Sequence, residues 1–168
     1  MASCLRRQTG MKALVNTKIK FREPYRPFAP SVLAERAEEY FDLPDAAQHD
    51  PARFMLLVAP VRPEKRETIP AVTHVDGTGR LQTVFPQTNP RYHRLIEQFG
   101  QATGVPVLMN TSFNLRGEPI VTTPHNAYST FARSELDLLV MGEYLTKKEE
   151  EETMWRRGFL LAIVLWMG

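Results

Sequence analysis

The chain has 168 residues with 43% hydrophobic and 24% charged side chains, proportions of a globular protein rather than of a disordered or coiled-coil one. A domain of this size buries roughly 70% of its unfolded surface, so it can build a core without disulfides. The single Cys4 excludes a disulfide framework and a cysteine-rich zinc site, and it fits a reducing, cytoplasmic setting. Thirteen prolines, about 8% against a usual ~5%, favour loops and short elements over a helical bundle.

Charge is uneven. Residues 1–26 hold Arg6, Arg7, Lys12, Lys18, Lys20, Arg22 and Arg26 against Glu23, a net of +6, while the remainder nets −4. That asymmetry predicts an anionic partner for the amino-terminal end: a phosphate-bearing ligand, a nucleic acid or a membrane surface. The first ten residues lack the apolar stretch of a signal peptide. The longest apolar run, Phe159 to Met167, is nine residues, short of the roughly twenty that span a bilayer.

In chain order, residues 1–20 show no clear period and read as irregular or marginally helical. Phe21 to Pro30, with three prolines, reads as extended. Ser31 then reads as the N-cap of a helix over SVLAERAEEYF. Leu43 to Arg53 reads as a loop and Phe54 to Ala59 as a buried strand. A charged loop from Pro60 to Pro70 follows. Ala71–Val75 and Leu81–Phe85 around Asp76-Gly77-Thr78-Gly79 predict a hairpin. Asn89-Pro90 opens a helix that Gly104 stops. Val105 to Met109 is a second buried strand, Asn110 to Pro119 a turn-forming polar stretch, Pro124 to Ala132 a helix and Leu136 to Met141 a third strand. From residue 146 a charged run passes into an apolar end, read as a solvated helix and a tail. The apolar part, Phe159 to Trp166, is expected to stay apart from the core, disordered or docked on a neighbouring chain.

Two stretches carry candidate chemistry. On an extended chain Lys18, Lys20, Arg22 and Arg26 converge on one side. Such a row suits a polyphosphate, though a solvated basic strand has the same sequence. Val105 to Asn114 runs from an apolar strand into short polar side chains, the place where open α/β sheets bind ligands. Asn110 and Ser112, two apart, offer donors and acceptors there; an ordinary turn held by Asn and Ser side chains remains the alternative. His49, His74, His93 and His125 lack metal-ligand spacing, and no metal site is expected. There is no P-loop, no G-x-G-x-x-G and no G-x-S-x-G.

Lys20-x-Arg22-Glu23-Pro24-Tyr25-Arg26-Pro27-Phe28-Ala29-Pro30, then His74 to Gln82 (HVDGTGRLQ), then Asn110-Thr111-Ser112-Phe113-Asn114, together resemble the carboxy-terminal domain of O-carbamoyltransferases, the nodulation-factor and antibiotic-tailoring enzymes. The resemblance covers residues 11–147. It implies a single α/β domain over residues 1–147 with a YrdC-like twisted mixed β-sheet flanked by helices, and an atypical tail over 148–168. It also implies binding of ATP, as its magnesium complex, and of carbamoyl phosphate, to form a carbamoyl-adenylate. A larger amino-terminal domain of the actin-like ATPase superfamily then transfers the carbamoyl group to an acceptor hydroxyl.

Carried over by position, Lys20 and Arg26 are the expected substrate-positioning ligands of phosphate and carbamoyl phosphate. Arg80 is the expected further phosphate-binding arginine, and Asn110 and Ser112 the polar pair that holds the nucleotide. The family's Gly-Pro-Arg-Ala-Leu-Gly element and its transferase domain would lie upstream of residue 1, so the chain is expected to be a fragment of the full enzyme, with the transferase domain as partner. An inactive nucleotide-binding or interaction module is the alternative. An RNA-binding module is less favoured, for want of interleaved aromatics, no membrane partner is expected, and a homodimer stays open.

Overall fold

The computed structural model describes residues 10–21, 23, 25–148 and 161–164, the last four as backbone. The described residues form two compact units. The first comprises 10–12 and 27–111, the second 13–26 and 112–148 with 161–164. Among the described residues no helix is long and apolar enough to cross a membrane. The architecture is mixed α/β, as expected.

The first unit is built on a four-stranded mixed sheet of order β2-β3-β1-β4, made of β1 (Ala29–Leu33), β2 (Leu57–Pro60), β3 (Thr78–Val84) and β4 (Val107–Asn110). β1 runs parallel to β3, with Ser31 opposite Gln82, and antiparallel to β4, with Ala29 opposite Asn110. β2 and β3 are antiparallel. The helix α3 (Pro90–Thr103) covers one sheet face, where Leu33, Val84 and Ile96 cluster with Tyr92 and Leu108. On the other face Gly79 takes no side chain: a Cβ there would stand 3.1 Å from the Phe41 ring.

The helix expected from Ser31 is instead β1 followed by a 3₁₀ helix over Ala34–Glu39. Every residue of β1 is buried, which suits a central strand and not a helix with one apolar face. Ala34, Ala37 and Tyr40 are buried in turn, the three-residue period of a 3₁₀ helix, whose side chains eclipse at i and i+3. The loop expected over Leu43 to Arg53 contains a 3₁₀ turn at Ala46–Gln48 and the one-turn helix α2 (Asp50–Arg53).

The strand expected at Phe54–Ala59 forms as β2 but is not buried. Among the described residues it pairs only with β3, and Val58 is 55% exposed at that sheet edge. The expected hairpin does not form either. Both edges of β3 are taken, by β2 and β1, and Pro70–Val72 is a 3₁₀ turn whose Val72 enters the core. The helix α3 matches its signals: the Asn89 side chain accepts from the Tyr92 amide at 3.2 Å, and Gly104 closes it at φ 81°.

In the chain the second unit begins within α1 (Met11–Val15), which continues as a π-helical turn, Asn16–Lys20. The Phe21 amide donates to the Asn16 carbonyl, and Phe21 adopts a left-handed φ of 47°. The basic residues after 17 are therefore not an extended row. Lys20 ends a helical turn, Arg22 lies outside the described residues, and the side chain of Lys18 is not described. The rest of the unit is α4 (Pro124–Arg133) and a sheet of order β6-β5-β7, from β5 (Leu138–Met141), β6 (Tyr144–Lys147) and β7 (Leu161–Val164). Of the apolar end, residues 161–164 pair in parallel with β5, so this part is sheet and not a segment apart. The charged run 149–158 lies outside the described residues.

Candidate functional site

The second unit holds a cavity of about 240 Å³ lined by Lys20, Glu23, Arg26, Ser112, Asn114 and Arg116, with Leu115 and Gly117. Three cationic side chains face one carboxylate. The π-helical turn delivers Lys20, and the loop after β4 delivers the polar residues.

Lys20 is 7% exposed, and a buried ammonium is unfavourable by several kcal/mol unless oxygens surround it. The loop supplies four. The Lys20 Nζ donates to the Ser112 carbonyl, to Ser112 Oγ at 3.1 Å, to the Asn114 carbonyl at 3.1 Å and to Asn114 Oδ1 at 2.8 Å. Since an ammonium has three protons, these contacts saturate it. Ser112 Oγ also donates to Asn114 Oδ1 at 2.7 Å, and Asn114 Nδ2 donates to the Glu118 carbonyl at 2.8 Å. Arg133 on α4 holds the Glu118 carboxylate at 2.5 Å, and that hydrogen bond keeps its pKa below the ordinary carboxylate range.

Arg26 is differently placed. Its side chain is 57% exposed, and Glu23 reaches only Nε, at 4.0 Å. Asn16, fully buried, fixes the local backbone by donating to the Arg26 carbonyl at 3.2 Å. Arg116 Nη1 donates to the Phe21 carbonyl at 2.9 Å, which ties the loop to the strained residue after Lys20. A π-helical turn followed by a non-glycine residue at positive φ costs on the order of 1–3 kcal/mol, and such strain concentrates at functional positions.

The expected residues divide between the units. Lys20, Arg26 and Ser112 line one cavity. Arg80 and Asn110 belong to the first unit. Arg80 is an exposed side chain on β3 opposite Val58. Asn110 ends β4, and its Nδ2 donates to Gln82 Oε1 at 2.7 Å. Asn114, Arg116 and Glu23 are cavity residues that the sequence reading did not select. The signal for Asn114 was present in Ser112-x-Asn114, whose two side chains meet on the same ammonium. Among the described residues no cluster of three His, Cys, Asp or Glu is placed to hold a metal.

Comparison with known proteins places the chain in a family. The family profile described as Carbamoyltransferase C-terminus matches residues 4–148. Nodulation protein NolNO of Sinorhizobium fredii is 54% identical over 137 residues, covering 82% of this chain and 20% of that protein. Nodulation protein NolO of Bradyrhizobium diazoefficiens is 49% identical over 137 residues, covering 82% of this chain and 25% of that protein. The 3'-hydroxymethylcephem-O-carbamoyltransferase of Streptomyces clavuligerus is 36% identical over 125 residues, 74% of this chain and 23% of that enzyme. The chain thus spans 16–28% of the length of the curated relatives it matches.

Proposed function

We propose, from the premise that this chain belongs to the carbamoyltransferase C-terminal family, that it binds the phosphates of ATP and of carbamoyl phosphate in the cavity of the second unit. There it supports formation of a carbamoyl-adenylate that a transferase domain uses on an acceptor hydroxyl. The observation that carries the reading is the cavity itself, where Lys20, Arg26 and Arg116 meet short polar side chains against a single Glu23. Adenylation asks little covalent help of a protein and much charge neutralisation and positioning.

The roles divide by burial. Arg26, exposed and only loosely engaged by Glu23, takes the phosphate directly through its guanidinium fork. Lys20, saturated by the loop, acts first as the post that holds Ser112 and Asn114 in place and contributes its charge from behind them. Arg80 and Asn110, which belong to the first unit, keep the phosphate-binding and nucleotide-holding roles that the resemblance implies and take no part in this cavity. Magnesium enters with the nucleotide as part of the substrate. The YrdC-like fold that the resemblance implies is consistent with a mixed sheet of order β2-β3-β1-β4.

The experiment is calorimetric titration of the chain with magnesium–ATP and with carbamoyl phosphate, beside an assay for released pyrophosphate. Binding of both with pyrophosphate release supports the full reading. Binding without pyrophosphate limits the chain to holding substrates, with the chemistry requiring the partner domain. A folded chain that binds neither ligand leaves an interaction module.

A further inference from the structure

The second unit holds another cavity, of about 350 Å³, opposite in character to the one around Lys20. Val121, Pro124 and Ala127, at and just before the start of α4, face Met141 and Tyr144 across it, where Gly142 turns β5 into β6. Among the described residues Glu143 is the one charged member of its wall, and it is exposed. Tyr144 stands 78% exposed at the rim. The space is more than twice the roughly 150 Å³ that admits benzene, and a cavity walled in this way takes an apolar occupant rather than ordered water.

The neighbouring strand leads the chain to this place. β7 runs parallel to β5, with Ala162 opposite Leu139 and Val164 opposite Met141. Residues directly opposite in a sheet share a face, and the face alternates along each strand. Met141 lines the cavity, so the register puts position 164 on the cavity face and position 166 on it again. At about 3.3 Å per residue, position 166 falls about 6–7 Å beyond the level of Met141. That is beside the Gly142 turn, where a Cβ on Gly142 would have no neighbour within 4 Å. Residue 166 is a tryptophan, set between Leu165 and Met167.

We propose that residues 165–168, which lie outside the described residues, continue the line of β7 and that the Trp166 indole fills this cavity. A tryptophan buries roughly 150–250 Å² and carries a single polar atom, a donor. Thr122 and Glu143 on the wall offer oxygens to that N–H. The apolar end of the chain is then part of the core of the second unit, and the occupant of its apolar cavity is the chain itself.

The test uses the full chain. Trp155→Phe leaves Trp166 as the only tryptophan, and its emission should be blue-shifted and shielded from acrylamide until urea unfolds the protein. In that background Tyr144→Ser opens the rim and should raise acrylamide access to Trp166 several-fold. Trp166→Ala should lower the melting temperature by roughly 5–15 °C. Free indole should recover part of that loss while leaving the unaltered chain unmoved. Water-like emission from Trp166 in the folded protein, or a melting temperature that Trp166→Ala leaves within about 2 °C, overturns the assignment. So does acrylamide access that Tyr144→Ser leaves unchanged, which places the indole elsewhere. Indole that stabilises the unaltered chain as much as the variant overturns it in favour of an outside ligand, and shielding that disappears on dilution in favour of a second copy of the chain. If Trp166→Ala does not fold, the emission and acrylamide measurements decide.

Discussion

Lys20 in the second unit and Gln82 in the first do the same structural job with opposite physics. Each draws polar groups of a β4-linked segment onto one side chain, Lys20 as a charged donor and Gln82 as a neutral acceptor. The charged post binds its loop more firmly because a hydrogen bond from an ammonium is stronger than one between neutral groups. The neutral hub contributes less to stability, since its hydrogen bonds join uncharged groups. A charge suits holding a loop against an anion, and a neutral amide suits joining a strand to its neighbours.

Breaking the charged side of that contrast should have the largest effect. Lys20→Met strips a donor from four neutral oxygens and should destabilise the chain by about 2–3 kcal/mol, read as a lower urea midpoint. Lys20→Arg should recover only part of this, since a planar fork cannot meet four oxygens arranged for an ammonium. A loss under 1 kcal/mol for Lys20→Met would remove the post from the account.

Arg26→Ala comes next and separates binding from folding. Its ion pair with Glu23 is long and half-exposed, worth roughly 0–1 kcal/mol to stability. Losing a charge-assisted phosphate contact should cost about 2–3 kcal/mol of binding, or roughly 30- to 150-fold in the affinity for ATP or carbamoyl phosphate measured by calorimetry. Lysine at position 26 should restore part of it.

Ser31→Ala sharpens the neutral side. It takes one donor from Gln82 and should cost about 1 kcal/mol in urea unfolding. A cost equal to that of Lys20→Met would erase the contrast.

The smallest effect concerns pH. Burial holds His74 below its ordinary 6.5, and Lys12 and Arg80 add to this while Asp76 opposes it. The folded state then binds fewer protons than the unfolded state, so stability is complete above about pH 6.5 and declines as pH falls below it. His74→Gln should flatten that part of a plot of urea midpoint against pH.

Much of this was legible in the sequence where local chemistry decides. Asn89-Pro90 and Gly104 bound α3 because a cap, a fixed φ and a left-handed closure are properties of single residues. Ser31 misled because SVLAERAEEYF satisfies a helical cap and period. Only the neighbours β3 and β4, contributed from 50 and more residues away, make a strand the better burial for Val32 and Leu33. The expected hairpin failed for the same reason, since the edges of β3 were already occupied. Lys20 and Arg26 stood out in the basic stretch and Ser112 in the polar pair after a strand, and the resemblance gave them their roles. That Lys20 is saturated by Asn114 as well, across 94 positions, is a consequence of tertiary placement that no spacing rule supplies.

The π-helical turn at Asn16–Lys20 carries an implication for the length of the chain. Such a turn is an α-helix with one surplus residue. Deleting Thr17 alone would let the segment relax into regular helix, with each later position displaced by about 100° around the axis. Lys20 would then swing off its four oxygens although every other amino acid kept its identity. At this place residue count is itself a specification, and a one-codon loss should do more harm than most substitutions.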